Sequence, residues 1–452
     1  MLSEFFGVKK GDVVSFVGGG GKTSLMLALA KELAPGRKVV VTTTTRMGAQ
    51  ELDPLEKFTD LGALEKELRS GRPAALYKAV DGEKVIGFSP DVVDAISKFS
   101  DVVLVEADGT RRLPVKVPKS TEPVIVPSTT KLVVVYGLDG LDRPLDDMTV
   151  YNLDGLLERL PGTKRGQTLT PELLRRILLQ GGFLEQSGPA KKSNDRDAFV
   201  HGRDREVFVI INKAELGKEK AMEFACHLFH PSIRSVAVSS TKEGWIEPVN
   251  NRDKKVAAII LAAGSSKRFG SSKLLEVVDG RPMLERVLKA SDLPQLFTRV
   301  LVVGHEKEGL LKALDPRMLM GVQIVFNPDH ATGMASSLKT GLRAARDMEM
   351  DAVLVLLGDM PRVDVTLIAR VINAYRDSCA HAARPVHNGT GGHPVILGKD
   401  LFPDIERLEG DVGARQVLEA AKEWTLELDV DPDTQADVDR REDLKGAGDG
   451  DA

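Results

Sequence analysis

The stretch VVSFVGGGGKTSLMLALA, residues 13–30, decides the fold of the first half of the chain. Its apolar start predicts a buried strand, its glycines predict a turn, and the apolar-periodic run after them predicts a helix. Consecutive glycines lose much conformational entropy on folding and pack no side chain, so the bare backbone itself must be needed at this turn. A glycine turn that leads into a helix binds anions through backbone N–H groups and the helix dipole. The stretch therefore predicts a phosphate site.

The phosphate-binding residues predicted from this stretch are Gly18, Gly19, Gly20, Gly21, Lys22 and Thr23. Lys22 is placed to reach the outer phosphates, and the Thr23 hydroxyl is placed to bind Mg²⁺. The spacing departs from the pattern G-x-x-x-x-G-K-[ST], because Phe16 stands where its first glycine is expected. A glycine-rich turn followed by a chance Gly-Lys-Thr stays open as the alternative.

Length and composition bound the protein class. A chain of 452 residues exceeds one ordinary core, so we expect two domains, over residues 1–250 and 255–442, and a disordered Gly/Asp-rich tail over 443–452. The net charge of −4 gives no electrostatic case for nucleic-acid binding, and the apolar runs are too short for a membrane span. Two cysteines and an N-terminus without a signal-peptide pattern lead us to expect a cytoplasmic protein.

Both halves alternate short apolar runs with longer helix-like segments, which predicts α/β architecture with mostly parallel sheets covered on both faces. We expect two doubly wound domains, an N-terminal P-loop-like nucleotide-binding domain and a C-terminal Rossmann-like nucleotidyltransferase domain. The predicted strands of the first half are VVSFV, KVVVTT, VVLVEA, KLVVVY, VFVIIN and SVAVSS. Those of the second half are AAIILAA, RVLVVG, VQIVF, AVLVLLG, HPVIL and TLELDV.

Further motifs of the first half follow predicted strands, where ligands of such sheets bind. Glu106-Ala107-Asp108-Gly109 places acidic groups where phosphate-loop proteins hold a metal-side carboxylate. Asn212 and Lys213 begin a loop similar to the Asn-Lys-x-Asp element by which GTPases bind guanine, with Glu215 in place of the Asp. The four threonines from Thr42 to Thr45 are candidate anion donors. Ordinary strand-end loops remain the alternative for each motif.

The stretches FVGGGGKTS, TTTTR and VEADGT and the Asn-Lys loop resemble the YqeC-like accessory family of selenium-dependent molybdenum hydroxylases, over about residues 5–245. The resemblance implies a nucleotide-binding fold and a molybdenum hydroxylase apoprotein as partner. Together with the GTPase-like loop, it leads us to expect a purine nucleotide in this domain. It implies no particular reaction.

The second half opens on another strand that runs into a glycine-containing loop, LAAGSSKRFGSSK, residues 261–273. Its cations, including Arg268 and Lys273, suit a triphosphate, because arginine gives forked donors and lysine a point charge. Asp359 ends the strand AVLVLL and is the predicted Mg²⁺ ligand, since Mg²⁺ prefers hard oxygen ligands. Asp431 is a second candidate ligand, with a helix N-cap as its alternative.

The loop sequence LAAGSSKRFGSSK, together with GDMP at residues 358–361, resembles the molybdenum cofactor nucleotidyltransferases of the MobA-like family. It resembles the cytidylyl branch of that family more than the guanylyl branch. The resemblance covers about residues 255–440. It implies transfer of CMP from CTP to molybdopterin, with Mg²⁺ as cofactor and with Arg268, Lys273 and Asp359 as the catalytic residues. The ligand-binding residues that we assign on this basis are Leu261, Ala262, Ala263, Gly264, Gly333, Ser336, Ser337, His393 and Arg415.

Two other interpretations stay open at this stage. The chain is alternatively a chaperone that binds the finished cofactor and hands it to a hydroxylase, or a nucleotidyltransferase for another base or acceptor. A metal site at Cys226, His227 and His230 is not favoured, because no further ligand has matching spacing.

Overall fold

The computed structural model describes residues 1–184, 205–264, 273–278, 280–304 and 307–430. The chain forms two units that divide between Val249 and Asn250. Every helix within the described ranges is too short or too polar to cross a membrane.

The strands of the N-terminal unit include the six predicted from sequence and several short additional ones. In chain order they are β1 (Asp12–Gly18), β2 (Val39–Thr43), β3 (Arg46–Gly48), β4 (Glu56–Phe58), β5 (Ala74–Leu76), β6 (Ala79–Asp81), β7 (Lys84–Ile86), β8 (Val102–Glu106), β9 (Val115–Lys116), β10 (Lys131–Gly137), β11 (Val150–Tyr151), β12 (Glu206–Asn212), β13 (Ser235–Ser240) and β14 (Trp245–Val249). The helices are α1 (Leu2–Phe5), α2 (Lys22–Leu33), α3 (Leu61–Glu67), α4 (Pro90–Ile96), α5 (Leu153–Arg159), α6 (Pro171–Gln180) and α7 (Lys218–Cys226).

Within the described ranges, the main sheet of this unit has the order β14-β13-β12-β10-β1-β8-β2-β5-β4. All its neighbours pair in parallel except β13 and β14. The central strands are buried along nearly their whole length, as their near-continuous valine-rich sequences require in a sheet covered on both faces. Strand β1 lies between β8 and β10, so the turn that follows β1 opens beside the carboxyl ends of both neighbours.

The C-terminal unit also contains all six predicted strands. Its strands are β15 (Val256–Ala262), β16 (Val277–Val278), β17 (Arg281–Pro282), β18 (Thr298–Val303), β19 (Val322–Phe326), β20 (Ala352–Leu357), β21 (Ala382–His387), β22 (Thr390–Gly391), β23 (Val395–Gly398) and β24 (Thr425–Asp429). Its helices are α8 (Met283–Ala290), α9 (Lys307–Ala313), α10 (Met334–Asp347), α11 (Val365–Arg376), α12 (Phe402–Glu406) and α13 (Ala414–Ala420).

The described part of this sheet has the order β19-β18-β15-β20-β23-β21-β22, and β24 pairs with β21. The first four strands are parallel, whereas β23 runs antiparallel to both of its neighbours. Alternate residues of β15 pack into two hydrophobic cores, one on each face of the sheet, because successive side chains of a strand point to opposite faces. Ala258 and Ile260 pack with α8 and α11, while Ala257 and Ile259 pack with α10. The architecture is therefore mixed α/β with helices on both faces.

Candidate functional site

The glycine turn of the N-terminal unit needs glycine at every position. In the turn Gly18–Gly21, three of the four residues have φ between +67° and +98°, in the left-handed region that favours glycine. A Cβ atom on Gly20 would lie 2.0 Å from the backbone nitrogen of Gly137. A Cβ on Gly19 would lie 2.4 Å from the carbonyl oxygen of Pro114. The bare backbone inferred from sequence is therefore required by backbone conformation and by close packing.

Lys22 begins helix α2 and is buried inside this turn. Its Nζ donates to the Gly18 carbonyl at 2.7 Å and lies 3.0 Å from Oδ1 of Asp108, which has no solvent exposure. Asp108 Oδ2 accepts a hydrogen bond from Gly18 N at 2.9 Å. Burial disfavours the charged ammonium, but the carboxylates of Asp108 and Glu106 outweigh it and raise the pKa of Lys22. A fully charged lysine is thus held at the turn.

Thr23 is joined to the end of strand β8. Its Oγ1 donates to Oε2 of Glu106 at 2.6 Å. Burial raises the pKa of Glu106 to about 6, although Lys22 and the Thr23 hydroxyl act in the opposite direction. The first residue of the predicted acidic motif therefore contacts the hydroxyl that was predicted to bind Mg²⁺.

The four threonines at the end of β2 and just after it are Thr42 to Thr45, and the hydroxyls of three of them bond to backbone carbonyls. Thr42 donates to Leu76 O at 2.8 Å, and Thr43 donates to Glu106 O at 2.8 Å. Thr44 donates to Val124 O at 2.7 Å. These contacts give the hydroxyls a role in joining the end of β2 to its surroundings.

Asn212 braces the glycine turn from strand β12. Its Nδ2 donates to Gly20 O at 2.9 Å, and its Oδ1 accepts from Ser239 Oγ at 3.1 Å and Thr241 N at 3.3 Å. The adjacent Lys213 has φ of +65°, and its Nζ lies 2.6 Å from Asp139 Oδ2. Asn212 therefore joins the glycine turn to the segment Ser239-Ser240-Thr241, which ends β13 and begins the next loop. Ligands of parallel sheets bind at such strand ends.

The predicted loop of the C-terminal unit is described at its two ends. Leu261 and Ala262 end strand β15, Ala263 is buried, and Gly264 is exposed. Arg268 lies outside the described residues, as does Asp431. Lys273 is the first described residue after Gly264 and begins a short 3₁₀ turn.

Lys273 and Asp359 meet at the carboxyl ends of β15 and β20. Gly358 N donates to Leu261 O at 3.0 Å, which sets the end of β20 beside the start of the loop. Lys273 Nζ lies 3.0 Å from Asp359 Oδ2, and the side chains are 14% and 35% exposed. The carboxylate therefore faces the loop and solvent rather than the core, and it is accessible to a ligand.

His393 shortly precedes β23 and lies beside its neighbour β20, within the electrostatic influence of Asp359. Its Nδ1 is 3.4 Å from Val355 O. Burial lowers the pKa of His393, although the Val355 carbonyl and the charge of Asp359 act in the opposite direction. We therefore expect a neutral imidazole at pH 7 at this position.

The residues predicted at the start of helix α10 bond within the protein. Gly333 has φ of +119° and precedes the helix. Asn327, which is buried, donates through Nδ2 to Ser336 Oγ at 2.8 Å and to Ser337 Oγ at 3.0 Å. The two serines are thus positioned by an asparagine that sequence reasoning had not selected, although it begins the stretch NPDHATG.

Arg415 lies apart from these contacts on the exposed side of α13. Its Nε donates to Glu419 Oε1 at 2.9 Å, and its side chain is 87% exposed. The structure does not join it to the Lys273–Asp359 pair. Within the described ranges, no group of three or more His, Cys, Asp or Glu side chains is arranged to hold a metal ion.

The two units therefore each carry a glycine-containing loop at the carboxyl ends of parallel strands, the arrangement of nucleotide-handling α/β proteins. Residues 258–425 match the MobA-like NTP transferase domain family, and residues 14–154 match the YqeC protein family. The N-terminal unit thus matches a YqeC model and the C-terminal unit a MobA-like nucleotidyltransferase model, as the resemblances in the sequence predicted.

Individual relatives match one unit or the other. The chain is 39% identical over 136 residues to the uncharacterized protein YqeC of Escherichia coli. The matched region covers 28% of this chain and about half, 53%, of that relative. It is 25% identical to the molybdenum cofactor cytidylyltransferase of E. coli, covering 38% of this chain and 86% of the relative. It is 27% identical to the purine catabolism protein PucB of Bacillus subtilis, over 38% of this chain and 84% of that relative.

Proposed function

We propose that the C-terminal unit transfers CMP from CTP to molybdopterin and forms molybdopterin cytosine dinucleotide. The observation that carries this proposal is the Lys273–Asp359 pair, at 3.0 Å, beside the loop that starts at Leu261. The likeness to the E. coli molybdenum cofactor cytidylyltransferase over most of that protein's length supports the acceptor and the base.

The residues of this unit act by positioning and by neutralising charge. The terminal phosphate of molybdopterin is already an anion at neutral pH, so its oxygen attacks the α-phosphorus of CTP without a strong base, and pyrophosphate leaves. Lys273, together with Arg268, binds the triphosphate and offsets the charge that builds on its oxygens. His393 and Arg415 are assigned to the pterin side, and the start of α10 at Gly333, Ser336 and Ser337 to a phosphate.

The carboxylate of Asp359 fits a magnesium ion that keeps several of its waters, because it is a hard oxygen donor and is partly exposed. Asp359, with Asp431 as second ligand, would hold the ion. Bound there, Mg²⁺ supplies charge stabilisation to phosphate oxygens.

The N-terminal unit, on this proposal, binds the phosphates of a purine nucleotide in a P-loop-like turn. The buried Lys22, the Thr23–Glu106 contact and the required glycines support this assignment. From the resemblance described above, we assign this unit a role in the maturation of a molybdenum hydroxylase, including a selenium-dependent one, in the cytoplasm. The match to the YqeC family model supports the resemblance itself. The apoprotein of that hydroxylase is the proposed partner.

The test measures pyrophosphate release by the full chain with molybdopterin and either CTP or GTP. We expect release with CTP, a loss of about 100-fold in Asp359→Asn, and full rate in Lys312→Gln, which alters an exposed cation on α9. A preference for GTP would change the base. Pyrophosphate release that requires an acceptor other than molybdopterin would favour a different nucleotidyl transfer. The likeness to PucB makes this alternative worth testing. If the chain bound the finished molybdenum cofactor but released no pyrophosphate, and if Asp359→Asn bound the cofactor equally well, the chaperone alternative would be favoured.

A further inference from the structure

Segment 109–119, which follows the acidic motif, packs directly on the glycine turn. Gly20 N donates to Leu113 O at 3.2 Å. Lys116 Nζ donates to Gly109 O at 2.7 Å and lies 3.4 Å from Asp108 Oδ2, the atom that accepts the Gly18 N–H. The segment is therefore joined to the glycine turn through its backbone at Leu113 and through the side chain of Lys116.

Three cations of this segment gather around one aromatic ring. The distances to the ring centroid of Tyr151 are 5.9 Å from Arg111 Cζ, 5.1 Å from Lys116 Nζ and 4.7 Å from Lys119 Nζ. Cations are attracted to the face of an aromatic ring, so Tyr151 gives them a common support. Gathering like charges nevertheless costs free energy unless anions offset it.

Only one of the three cations is neutralised by the protein within the described ranges. Lys116 is fully buried and pairs with Glu122 at 2.7 Å, with Asp108 at 3.4 Å. Arg111 and Lys119 are exposed, and neither forms an ion pair with a described carboxylate. The excess positive charge is therefore available to an external anion.

Two consecutive arginines of the segment, one of them from this cluster, have an unfavourable backbone conformation. Arg111 has φ of +52° and the next residue, Arg112, has φ of +65°. The left-handed region is disfavoured for side chains with a Cβ, and two such residues in succession persist only where the surroundings over-determine them. Neither position carries the glycine that would relieve this cost, so the fold holds both arginines in place against it.

We propose that segment 109–119 and Tyr151 form a phosphate-group site next to the glycine turn. The ligand is either the terminal phosphate of the nucleotide in that turn or a phosphate monoester of a second substrate. Arg111 contributes forked donors and Lys119 a point charge, a pairing that suits a dianionic phosphate. The inference rests on the proposed nucleotide site and assigns its neighbouring substrate class.

The test uses isothermal titration calorimetry on the full chain with inorganic phosphate, GDP, GTP, ADP and ATP as probes. The variant is the double change Arg111→Gln and Lys119→Gln, which removes exposed charge and leaves the buried Lys116 in place. Lys66→Gln is the control, because it removes an exposed cation from helix α3 of the same unit. Near-ultraviolet circular dichroism checks that each variant is folded.

Two results support the site and separate its sources. At least tenfold weaker binding of inorganic phosphate to triphosphate-loaded protein in the double variant indicates a separate phosphorylated substrate, because the terminal-phosphate position is then already filled. At least tenfold weaker triphosphate binding with unchanged diphosphate binding indicates the terminal phosphate. The control matches the wild type in both cases.

Equal affinities of the wild type and the double variant for phosphate and for triphosphates would overturn the inference, as would undetectable phosphate and triphosphate binding in the wild type. Failure of the nucleotide site is a different result. The wild type would then bind no nucleotide, while its binding of inorganic phosphate would still depend on Arg111 and Lys119 and would survive Lys22→Met.

Discussion

Lys22 and Asp108 form an ion pair inside the protein: Nζ and Oδ1 lie 3.0 Å apart, with side-chain exposures of 4% and 0%. Asp108 also accepts the Gly18 N–H, so the same carboxylate fixes both the lysine and the turn that the lysine serves. The pair keeps the ammonium charged and pointed at the turn while no ligand offsets it.

Replacing Lys22 should weaken nucleotide binding and destabilise the unit together. We expect Lys22→Met to reduce nucleotide affinity roughly 100-fold, because a charge-assisted contact to phosphate is lost. We also expect the free energy of unfolding to fall by about 3 kcal/mol, because Asp108 loses a buried partner. Lys31→Met, on the exposed side of the same helix, is the control. Unchanged affinity in Lys22→Met would remove the phosphate-loop interpretation.

Gly20→Ala tests whether the turn needs glycine for space as well as for conformation. The added Cβ would lie 2.0 Å from Gly137 N at a φ of +67°. Gly36→Ala is the matched control, since Gly36 has φ of +84° and nothing within 4 Å. We expect about 1 kcal/mol of destabilisation at Gly36, from the left-handed backbone alone, and more than about 3 kcal/mol at Gly20. Equal losses in urea unfolding would show that the clash is relieved.

Burial of Glu106 makes the stability of the N-terminal unit depend on pH. The native pKa of about 6 exceeds the ordinary 4.5, so the native state holds this proton more tightly than the unfolded state. Its contribution is fully present below pH 4.5 and is lost as the pH rises through 6. A shift of this size corresponds to about 2 kcal/mol.

Glu106→Gln removes that dependence. We expect its stability relative to the wild type to be about 2 kcal/mol higher at pH 7.5 than at pH 4.5. The chain has two tryptophans, Trp245 in the N-terminal unit and Trp424 in the C-terminal unit. Unfolding followed by fluorescence in a Trp424→Phe background therefore isolates the relevant transition. A difference between the variants that does not change with pH would contradict the prediction.

The contact between Lys273 and Asp359 should appear as coupling in a double-mutant cycle. We expect Lys273→Gln and Asp359→Asn each to lower kcat/KM for nucleotidyl transfer about 100-fold. The double variant should lose less than the product of the two effects, because residues in contact are not additive. Fully multiplicative losses would mean that the two side chains act independently in the reaction.

The strands and their glycine loops are predictable from sequence because each signal is local. Valine-rich runs such as those of β1 and β8 need only their own residues to indicate a strand buried on both faces. The direction of β23 is not local. The run HPVIL was correctly predicted as a strand, but its antiparallel pairing with β20 depends on a partner about 40 residues away.

The partners of site side chains were harder to foresee for the same reason. Thr42 and Thr43 were candidate anion donors, yet their hydroxyls bond to carbonyls that neighbouring strands supply. Lys116, buried between Asp108 and Glu122, carries no sequence signal, because an isolated lysine in a polar segment is ordinarily exposed. Its position follows only once segment 109–119 is folded onto the glycine turn.

The side-chain amide of Asn212 bonds Gly20 O, 192 positions earlier in the chain, and Thr241 N, 29 positions later. We therefore expect movement of the glycine turn to reach the backbone of the loop after β13 through this amide. The exchange rate of the Thr241 amide hydrogen with deuterated solvent should therefore report whether a ligand occupies the glycine turn.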